Sequence, residues 1–154
     1  ELSEQDQFAI AKRLNAETHQ TVFFSKINYG KEIIGKGVIL PVSDLTAFEV
    51  VLVTGIANTK TLTTFLDTIK IHYHHKKYAD HYNFSQKDVD EIKLAFSKIK
   101  TDKKLILTTE KDYVRSFMGM GNFYYLPIET VFIDHQEDFN KLIKKYVEQS
   151  SRNS

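Results

Sequence analysis

The strongest structural signal in the chain is a run of β-branched and apolar residues that ends in a sharp turn: Phe48-Glu49-Val50-Val51-Leu52-Val53-Thr54-Gly55-Ile56-Ala57-Asn58. A nearly continuous apolar run of this kind is typical of a strand that is buried on both faces. Asn58 is a predicted helix N-cap, and apolar residues then recur at helical spacing at Leu62, Phe65, Leu66 and Ile69. This part of the sequence predicts a buried strand that leads directly into an amphipathic helix.

The same strand-then-helix pattern continues toward the C terminus. Further strands are predicted at residues 71–76, 105–108, 123–126 and 130–133. Ser85 and Asp88 have the spacing of a capping box, and Phe84 and Val89 the spacing of a hydrophobic staple, so a helix is expected to begin after Ser85. Strands that alternate with helices in this way predict an α/β fold with a mainly parallel sheet flanked by helices.

The N-terminal part of the chain follows a different pattern. Ser3 is a predicted cap for a helix that ends near Asn15, and residues 21–25 are rich in β-forming residues. Three of the six glycines and one of the two prolines lie between Gly30 and Leu45, which we interpret as a β-ribbon linker. The predicted division is therefore a tail of an upstream domain at 1–28, the ribbon at 29–45, an α/β domain at 46–150 and a frayed end at 151–154.

Composition excludes several classes of protein. The 21 Lys and Arg residues nearly balance the 20 Asp and Glu residues, so nothing indicates a nucleic-acid partner. The absence of cysteine excludes disulfides, thiolate metal sites and a Cys nucleophile, and it suits a reducing compartment. No apolar run approaches the roughly 18 residues needed to span a bilayer. The chain begins with Glu and opens directly into a helix cap, so we expect it to be a piece of a longer protein.

An Asp-His pair, Asp80 and His81, lies between a predicted strand and the helix that Ser85 caps. Ligands of open α/β sheets bind at the carboxyl ends of the strands. A carboxylate beside a histidine can orient the imidazole and favour its charged form, which makes the pair a candidate acid–base element. Asp80 could instead cap a turn, and the local sequence leaves both interpretations open.

The histidines near this pair offer an alternative. His72 and His74 are two residues apart on a predicted strand and therefore share a face, so they could converge with His81 on a divalent metal ion. That arrangement would indicate a metal-dependent hydrolase. If they bind no metal, the histidines are solvated side chains on an edge strand.

Two kinds of turn resemble phosphate or ligand sites. Residues 30–37 nearly match the phosphate-binding loop G-x-x-x-x-G-K-S/T, but the last position is Gly37 and the next residues continue as a strand where the motif needs a helix. We therefore do not interpret them as that loop. The turns after two buried strands, 55–58 and 109–112, could line a site, because Gly55 allows close approach of backbone and helix N-termini favour anions. Simple helix capping needs the same residue types.

Taken together, these turns resemble the tetraacyldisaccharide 4′-kinase family, in its C-terminal half. The resemblance covers essentially the whole chain and is carried, in order, by Gly55-Ile56-Ala57-Asn58, Asp80-His81-Tyr82-Asn83-Phe84-Ser85, Thr109-Glu110-Lys111-Asp112 and Leu126-Pro127-Ile128-Glu129. The chain departs from the family at Thr59, where Pro is usual, and at Tyr82, where a second His is common.

The resemblance implies a Rossmann-like domain of a P-loop-type kinase. Such a kinase, with Mg²⁺, transfers the γ-phosphate of ATP to the 4′-hydroxyl of a tetraacyldisaccharide 1-phosphate, the lipid A disaccharide precursor. The resemblance places the ATP and Mg²⁺ sites in an N-terminal P-loop kinase domain, so this chain alone is expected to bind neither and to be inactive. The family's catalytic histidine matches His81, which is expected to pair with an aspartate of that domain. Residues expected to line the substrate or interdomain site are Gly55, Asn58, Asp80, Glu110 and Lys111.

The resemblance also bears on partners and location. It implies a peripheral protein at the cytoplasmic face of the bacterial inner membrane, held there by parts outside this chain. Separated from the kinase domain, the apolar face of residues 1–28 could pair with a second copy and give a dimer through the exposed former interface. A non-catalytic, ligand-binding α/β module is the remaining alternative.

Overall fold

The computed structural model describes residues 2–152. In chain order the elements are helix α1 (Glu4–Leu14), strands β1 (Ser25–Tyr29), β2 (Glu32–Gly35) and β3 (Val38–Pro41), a 3-10 turn at Val42–Ala47, strand β4 (Glu49–Thr54), helix α2 (Lys60–Thr68), strand β5 (Tyr73–Lys77), helix α3 (Gln86–Ser97), strand β6 (Lys104–Thr109), a short helix α4 (Glu110–Asp112) that continues as a π-helical turn at Tyr113–Phe117, strands β7 (Phe123–Leu126) and β8 (Ile128–Phe132), and helix α5 (Gln136–Arg152). No helix of the described residues is both long enough and apolar enough to cross a membrane.

The contacts within the chain form two compact units. Residues 29–128 make up the larger unit, and residues 2–28 make up the smaller one together with residues 129–152. The larger unit contains a six-stranded sheet in the order β3-β2-β7-β6-β4-β5. Strands β7, β6, β4 and β5 are parallel neighbours, while β2 pairs antiparallel with both β3 and β7. The predicted α/β fold with a mainly parallel sheet flanked by helices is confirmed.

Strand β4 is the centre of the core and is buried on both faces, as its sequence predicts. Val50 and Leu52 face one side, where they join a cluster that includes Leu62 and Leu66 of α2. The opposite face belongs to α3 and the π-helical turn, in a cluster of Val51, Val53, Val89, Ile92, Ile106, Tyr113, Phe117 and Phe123. Both faces of the parallel sheet are therefore covered, as such sheets require.

The predicted ribbon forms a hairpin, but it is an edge of the main sheet. Ile33 lies opposite Leu40 in this hairpin and is fully buried in the same cluster as Val50. Gly35 lies opposite Tyr124 of β7, which continues the sheet into the hairpin. In terms of contacts, the segment predicted as a linker at 29–45 therefore belongs to the α/β unit.

The smaller unit combines the two ends of the chain, which the predicted division had kept apart. Strands β1 and β8 form a two-stranded sheet, and Asn28 Nδ2 donates to Glu129 Oε1 at 2.7 Å. The ring of Phe23 packs edge-on against Phe132 and Phe139. Residues 21–24 do not form a strand, and β1 begins at Ser25. The assignment of residues 1–28 to an upstream domain stays a prediction.

The last helix extends further than predicted. Helix α5 includes Ser151 and ends at Arg152, whereas fraying was expected from residue 151. The hydroxyl of Ser151 donates to the carbonyl oxygen of Val147 at 3.0 Å, which ties the last turn to the preceding one. Residues 153 and 154 lie outside the described residues.

Candidate functional site

The carboxyl ends of three parallel strands lie side by side at one edge of the sheet. Gly55 follows β4, the Asp80-His81 pair follows its neighbour β5, and residues 110–112 follow β6 on the other side. The chain therefore brings residues from three distant segments to the edge where open α/β sheets bind ligands.

Asp80 and His81 contact each other through the backbone and through their side chains. The backbone N–H of His81 donates to Asp80 Oδ1 at 2.9 Å and to the carbonyl oxygen of Gly55 at 3.1 Å. The imidazole Nε2 of His81 lies 3.7 Å from Asp80 Oδ2, and Lys111 Nζ lies 3.4 Å from Asp80 Oδ1. Asp80 therefore caps its own turn and also lies beside two basic side chains, and the acid–base role of the Asp80-His81 pair stays a prediction.

The backbone of His81 has a left-handed conformation, with φ of 56°. This region is uncommon for residues other than glycine, and the surroundings must hold it. Here the N–H bonds to Asp80 and Gly55 hold the peptide, while the imidazole itself is 73% exposed. The structure therefore presents an accessible imidazole on a fixed backbone.

The charges around Asp80 favour its ionised form. Partial burial raises the pKa of Asp80, but the neighbouring charges of His81 and Lys111 and the hydrogen bonds from both residues outweigh this effect. The pKa of Asp80 is therefore lowered from its ordinary value. The carboxylate stays charged at neutral pH.

A buried carboxylate, Asp112, supports this edge; the sequence placed it in the 109–112 turn but did not single it out as a site residue. Asp112 is 1% exposed, and its Oδ2 accepts hydrogen bonds from the N–H of Gly55 at 2.8 Å and from the hydroxyl of Thr109 at 2.9 Å. A Cβ at Gly55 would lie 3.2 Å from Asp112 Oδ1 and 3.4 Å from the ring of Phe84. Gly55 therefore allows the close approach of Asp112, which is a more specific reason for glycine than the turn alone.

The other predicted site residues have separate roles in the structure. Asn58 Oδ1 accepts the N–H of Lys60, the first residue of α2, so Asn58 caps this helix from one position before the formal N-cap, Thr59. Glu110 and Lys111 lie at the start of α4, where they line a mostly apolar cavity of about 190 Å³ together with Ile56. The structure thus brings together Gly55, Asp80, His81 and Lys111, and it places Asn58 and Glu110 around them.

The histidines of the metal alternative do not converge. His72 and His74 are exposed, and within residues 2–152 no group of three or more His, Asp or Glu side chains is placed to hold a metal ion. His75 instead forms a 2.8 Å hydrogen bond with the hydroxyl of Thr54, and burial, aided by the charge of Lys77, lowers the pKa of its imidazole. This geometry does not favour the hydrolase.

The segment that resembles a phosphate-binding loop forms the turn of the β2–β3 hairpin. Gly35 and Val38 are paired across it, and Gly37 takes a left-handed φ of 68° between them. Strand β3 and not a helix follows Lys36, so the backbone does not have the strand-to-helix geometry that binds phosphate.

The fold and this edge define the chain as an α/β protein with polar side chains at the carboxyl ends of its parallel strands, the position where open α/β sheets bind ligands. The family model described as tetraacyldisaccharide-1-P 4′-kinase (LpxK) matches residues 3–148, and the chain belongs to this family. The family resemblance drawn from the four turns is confirmed.

Individual relatives agree with this assignment. The tetraacyldisaccharide 4′-kinase of Bacteroides thetaiotaomicron is 36% identical over 97% of this chain and 44% of its own length. That of Flavobacterium johnsoniae is 32% identical, over 97% of this chain and 42% of its own length. The crystal structure of LpxK from Aquifex aeolicus in complex with ATP shares the fold, with a TM-score of 0.57 and 19% identity, over 84% of this chain and 38% of that one. The chain thus spans less than half the length of these relatives, which agrees with the prediction that it matches only the C-terminal half of such a protein.

Proposed function

We propose that this chain acts as the C-terminal part of a tetraacyldisaccharide 4′-kinase. The complete enzyme would transfer the γ-phosphate of ATP to the 4′-hydroxyl of a tetraacyldisaccharide 1-phosphate, the lipid A precursor. The observation that carries the proposal is the family match over residues 3–148. The proposal draws further support from the exposed imidazole at the ligand-binding edge of the sheet.

His81 is the residue to which we assign a direct part in the reaction. Phosphoryl transfer depends mainly on positioning and on electrostatic stabilisation, with a carboxylate base for the attacking hydroxyl. The imidazole of His81 is exposed and its backbone is fixed, so it can meet an aspartate base that another part of the enzyme supplies. Asp80 accepts the backbone N–H of His81 and pairs with Lys111, and both contacts help to order the loop of His81.

ATP and Mg²⁺ belong to the remaining part of the enzyme in this proposal. Mg²⁺ prefers oxygen ligands, usually one or two carboxylates with substrate phosphates. In this chain Asp80 already pairs with Lys111, and Asp112 is buried beneath Gly55. These two carboxylates therefore do not fit a Mg²⁺ site.

The chain alone is therefore expected to lack kinase activity. The measurement is transfer of labelled γ-phosphate from ATP to a tetraacyldisaccharide 1-phosphate in detergent, with the full-length enzyme as the positive control. Labelled lipid formed by the 154-residue chain alone would contradict the proposed division of the site.

In the full-length enzyme, His81→Ala should lower kcat by about 10²–10⁴-fold, the usual contribution of a group that assists proton transfer. The free energy of unfolding should change little, because this side chain is 73% exposed. His74→Ala is the matched control, since His74 is also an exposed histidine but lies near the start of β5, away from the strand end that His81 follows. Normal turnover of the His81→Ala enzyme would remove His81 from the mechanism.

The location and the partners follow from the same proposal. A lipid substrate places the enzyme at a membrane surface, and we assign it to the cytoplasmic face of the bacterial inner membrane, held by parts outside this chain. The lipid A precursor and the kinase domain of the same protein are the proposed partners. A dimer of this chain is proposed only when its apolar helix faces are not covered by that domain.

A further inference from the structure

We propose that Asp112 is a positioning residue for His81, acting through the peptide groups of Gly55. The carboxylate of Asp112 holds the N–H of Gly55, and the carbonyl of Gly55 in turn holds the N–H of His81. The catalytic consequence rests on the proposed function of His81, whereas the structural relay does not depend on it.

The relay connects the ends of all three strands that build the site. Asp112 follows β6, Gly55 follows β4 and His81 follows β5. The bond from Gly55 N to Asp112 Oδ2 is 2.8 Å long and buried, and the bond from His81 N to Gly55 O is 3.1 Å long. Within residues 2–152, the His81 N–H has one acceptor outside its own turn, the carbonyl oxygen of Gly55. A shift of the Asp112 carboxylate therefore displaces this acceptor.

Capping of helix α4 does not explain why residue 112 carries a carboxylate. The helix N-terminus is capped by Thr109, whose hydroxyl oxygen accepts the backbone N–H of Asp112 at 3.1 Å. The Asp112 side chain is not needed for that bond, and its Oδ2 points instead to Gly55 and to the Thr109 hydroxyl hydrogen. The side chain thus links α4 to a turn in another segment.

The second carboxylate oxygen of Asp112 makes this residue unfavourable for the stability of the fold. Asp112 Oδ1 is buried without a hydrogen-bond partner, and it would lie 3.2 Å from a Cβ at Gly55. A buried unpaired oxygen is unfavourable, and residues that keep one are typical of sites where function outweighs stability. Leucine or alanine would avoid this cost but would leave the N–H of Gly55 without its acceptor.

The effect on His81 follows from its backbone. A φ of 56° is a strained conformation for histidine, and it persists only while the surroundings hold it. Without the fixed carbonyl of Gly55, the N–H of His81 keeps only the Asp80 carboxylate of its own turn, so the peptide can relax to a negative φ, which changes the direction of the imidazole.

Amide hydrogen exchange of the 154-residue chain, followed by NMR, tests the relay directly. Asp112→Ala should speed exchange of the His81 N–H at least tenfold more than that of the Tyr78 N–H, which bonds to Thr54 O at 2.8 Å one residue before Gly55. Asp112→Asn keeps an acceptor oxygen and should restore most of the protection of His81.

A control separates this effect from a general loss of stability. Leu66→Ala empties a fully buried site on the α2 face and should speed exchange at His81 and Tyr78 in the same proportion. If Asp112→Ala does the same, the relay is wrong. Should Asp112→Ala not fold, Gly55→Ala gives a second arm, because its Cβ displaces Asp112 Oδ1, and the same selective loss at His81 is expected.

Kinetics of the full-length enzyme test the catalytic consequence. Asp112→Ala should lower kcat at least tenfold with the KM for ATP unchanged, and it should lower kcat no further when His81→Ala is already present. A further loss in that background would overturn the positioning role. A fully active His81→Ala enzyme would instead refute the proposed function of His81 and leave the exchange result intact.

Discussion

Asp80 contacts the two basic side chains of the site, so the pKa of its carboxyl depends on their charges. Because the folded-state pKa is lowered, the contacts of Asp80 with His81 and Lys111 stabilise the fold above the ordinary value of 3.8. That contribution is lost as the pH falls through the lower, folded-state pKa.

Lys111→Met should raise the pKa of Asp80, because it removes a positive charge 3.4 Å from Oδ1. The measurement is the carboxyl ¹³C shift of Asp80 followed by NMR from pH 2 to 6, a range of about two units on each side of the ordinary pKa. Lys141→Met is the matched control, since Lys141 pairs with Asp138 at 3.0 Å. If the Asp80 titration is the same in both variants, Lys111 does not contribute to the charge balance of the site.

The sequence allowed some of the site residues to be predicted and not others, for a physical reason. Asp80, His81 and Gly55 stand at strand ends in a local pattern that chemistry can interpret. Asp112 stands three residues after Thr109, which is also the spacing of an ordinary helix cap. Its bond to Gly55 joins residues 57 positions apart, and only the packing of β4 beside β6 creates it.

The capping box of α3 is a local signal that the structure confirms. Ser85 Oγ accepts the N–H of Asp88, and the Asp88 carboxylate accepts the N–H of Ser85. Ser85→Ala should destabilise the fold by about 1 kcal/mol, measured by urea unfolding. Ser97→Ala is the control at the other end of the helix, where the hydroxyl only donates to Leu94 O. Equal losses in both variants would show that the cap adds nothing specific.

The contact between the hairpin and β7 depends on Gly35. A Cβ there would lie 2.7 Å from the ring of Tyr124 and 2.9 Å from the carbonyl oxygen of Phe123. Gly35→Ala should cost about 1–3 kcal/mol, the usual range for overpacking, seen as a lower urea midpoint. Gly121→Ala places its Cβ in open space and should change stability little. An unchanged midpoint for Gly35→Ala would mean that the hairpin can shift away from β7 without cost.

Helices and strands could be predicted where a local sequence signal, such as a continuous apolar run or a helix cap, was present. The apolar run of β4 and the caps of α1 and α3 are local signals, and the structure contains each of them. The 3-10 turn at Val42–Ala47 and the π-helical turn at Tyr113–Phe117 were not predicted, because both are set by packing: Leu45 and Phe117 are fully buried. Hydrophobic spacing alone does not distinguish such turns from loops or from an α-helix.

The grouping of the chain into two units could not be predicted from local sequence patterns. The hydrogen bond between Asn28 and Glu129 joins residues 101 positions apart, and β1 finds its partner only in β8. The sequence supported an α/β domain up to residue 150 because helix α5 continues the alternation of strands and helices. By its contacts, α5 groups with α1 and β1, and the division into an upstream tail, a linker and an α/β domain stays a prediction.

The helices of the smaller unit expose apolar side chains, which predicts self-association of this chain in isolation. Phe8 of α1 is 73% exposed, and Tyr146 and Leu142 of α5 are 70% and 50% exposed. Several large apolar side chains exposed on one unit are typical of surfaces that another protein surface covers. In the proposed enzyme the kinase domain would cover them, so the 154-residue chain alone should form a concentration-dependent dimer in sedimentation equilibrium.

Variants identify the surface that drives this association. Tyr146→Lys and Phe8→Glu each remove an exposed aromatic ring and add a charge, so each should weaken the dimer at least tenfold in Kd. Met118→Lys is the control, because Met118 is 67% exposed but belongs to the α/β unit. A dimer that Met118→Lys weakens as much as Tyr146→Lys would place the contact elsewhere. A chain that stays monomeric at every concentration would show that these faces do not associate with each other, and a role in binding the kinase domain would then need a complementary, non-identical surface.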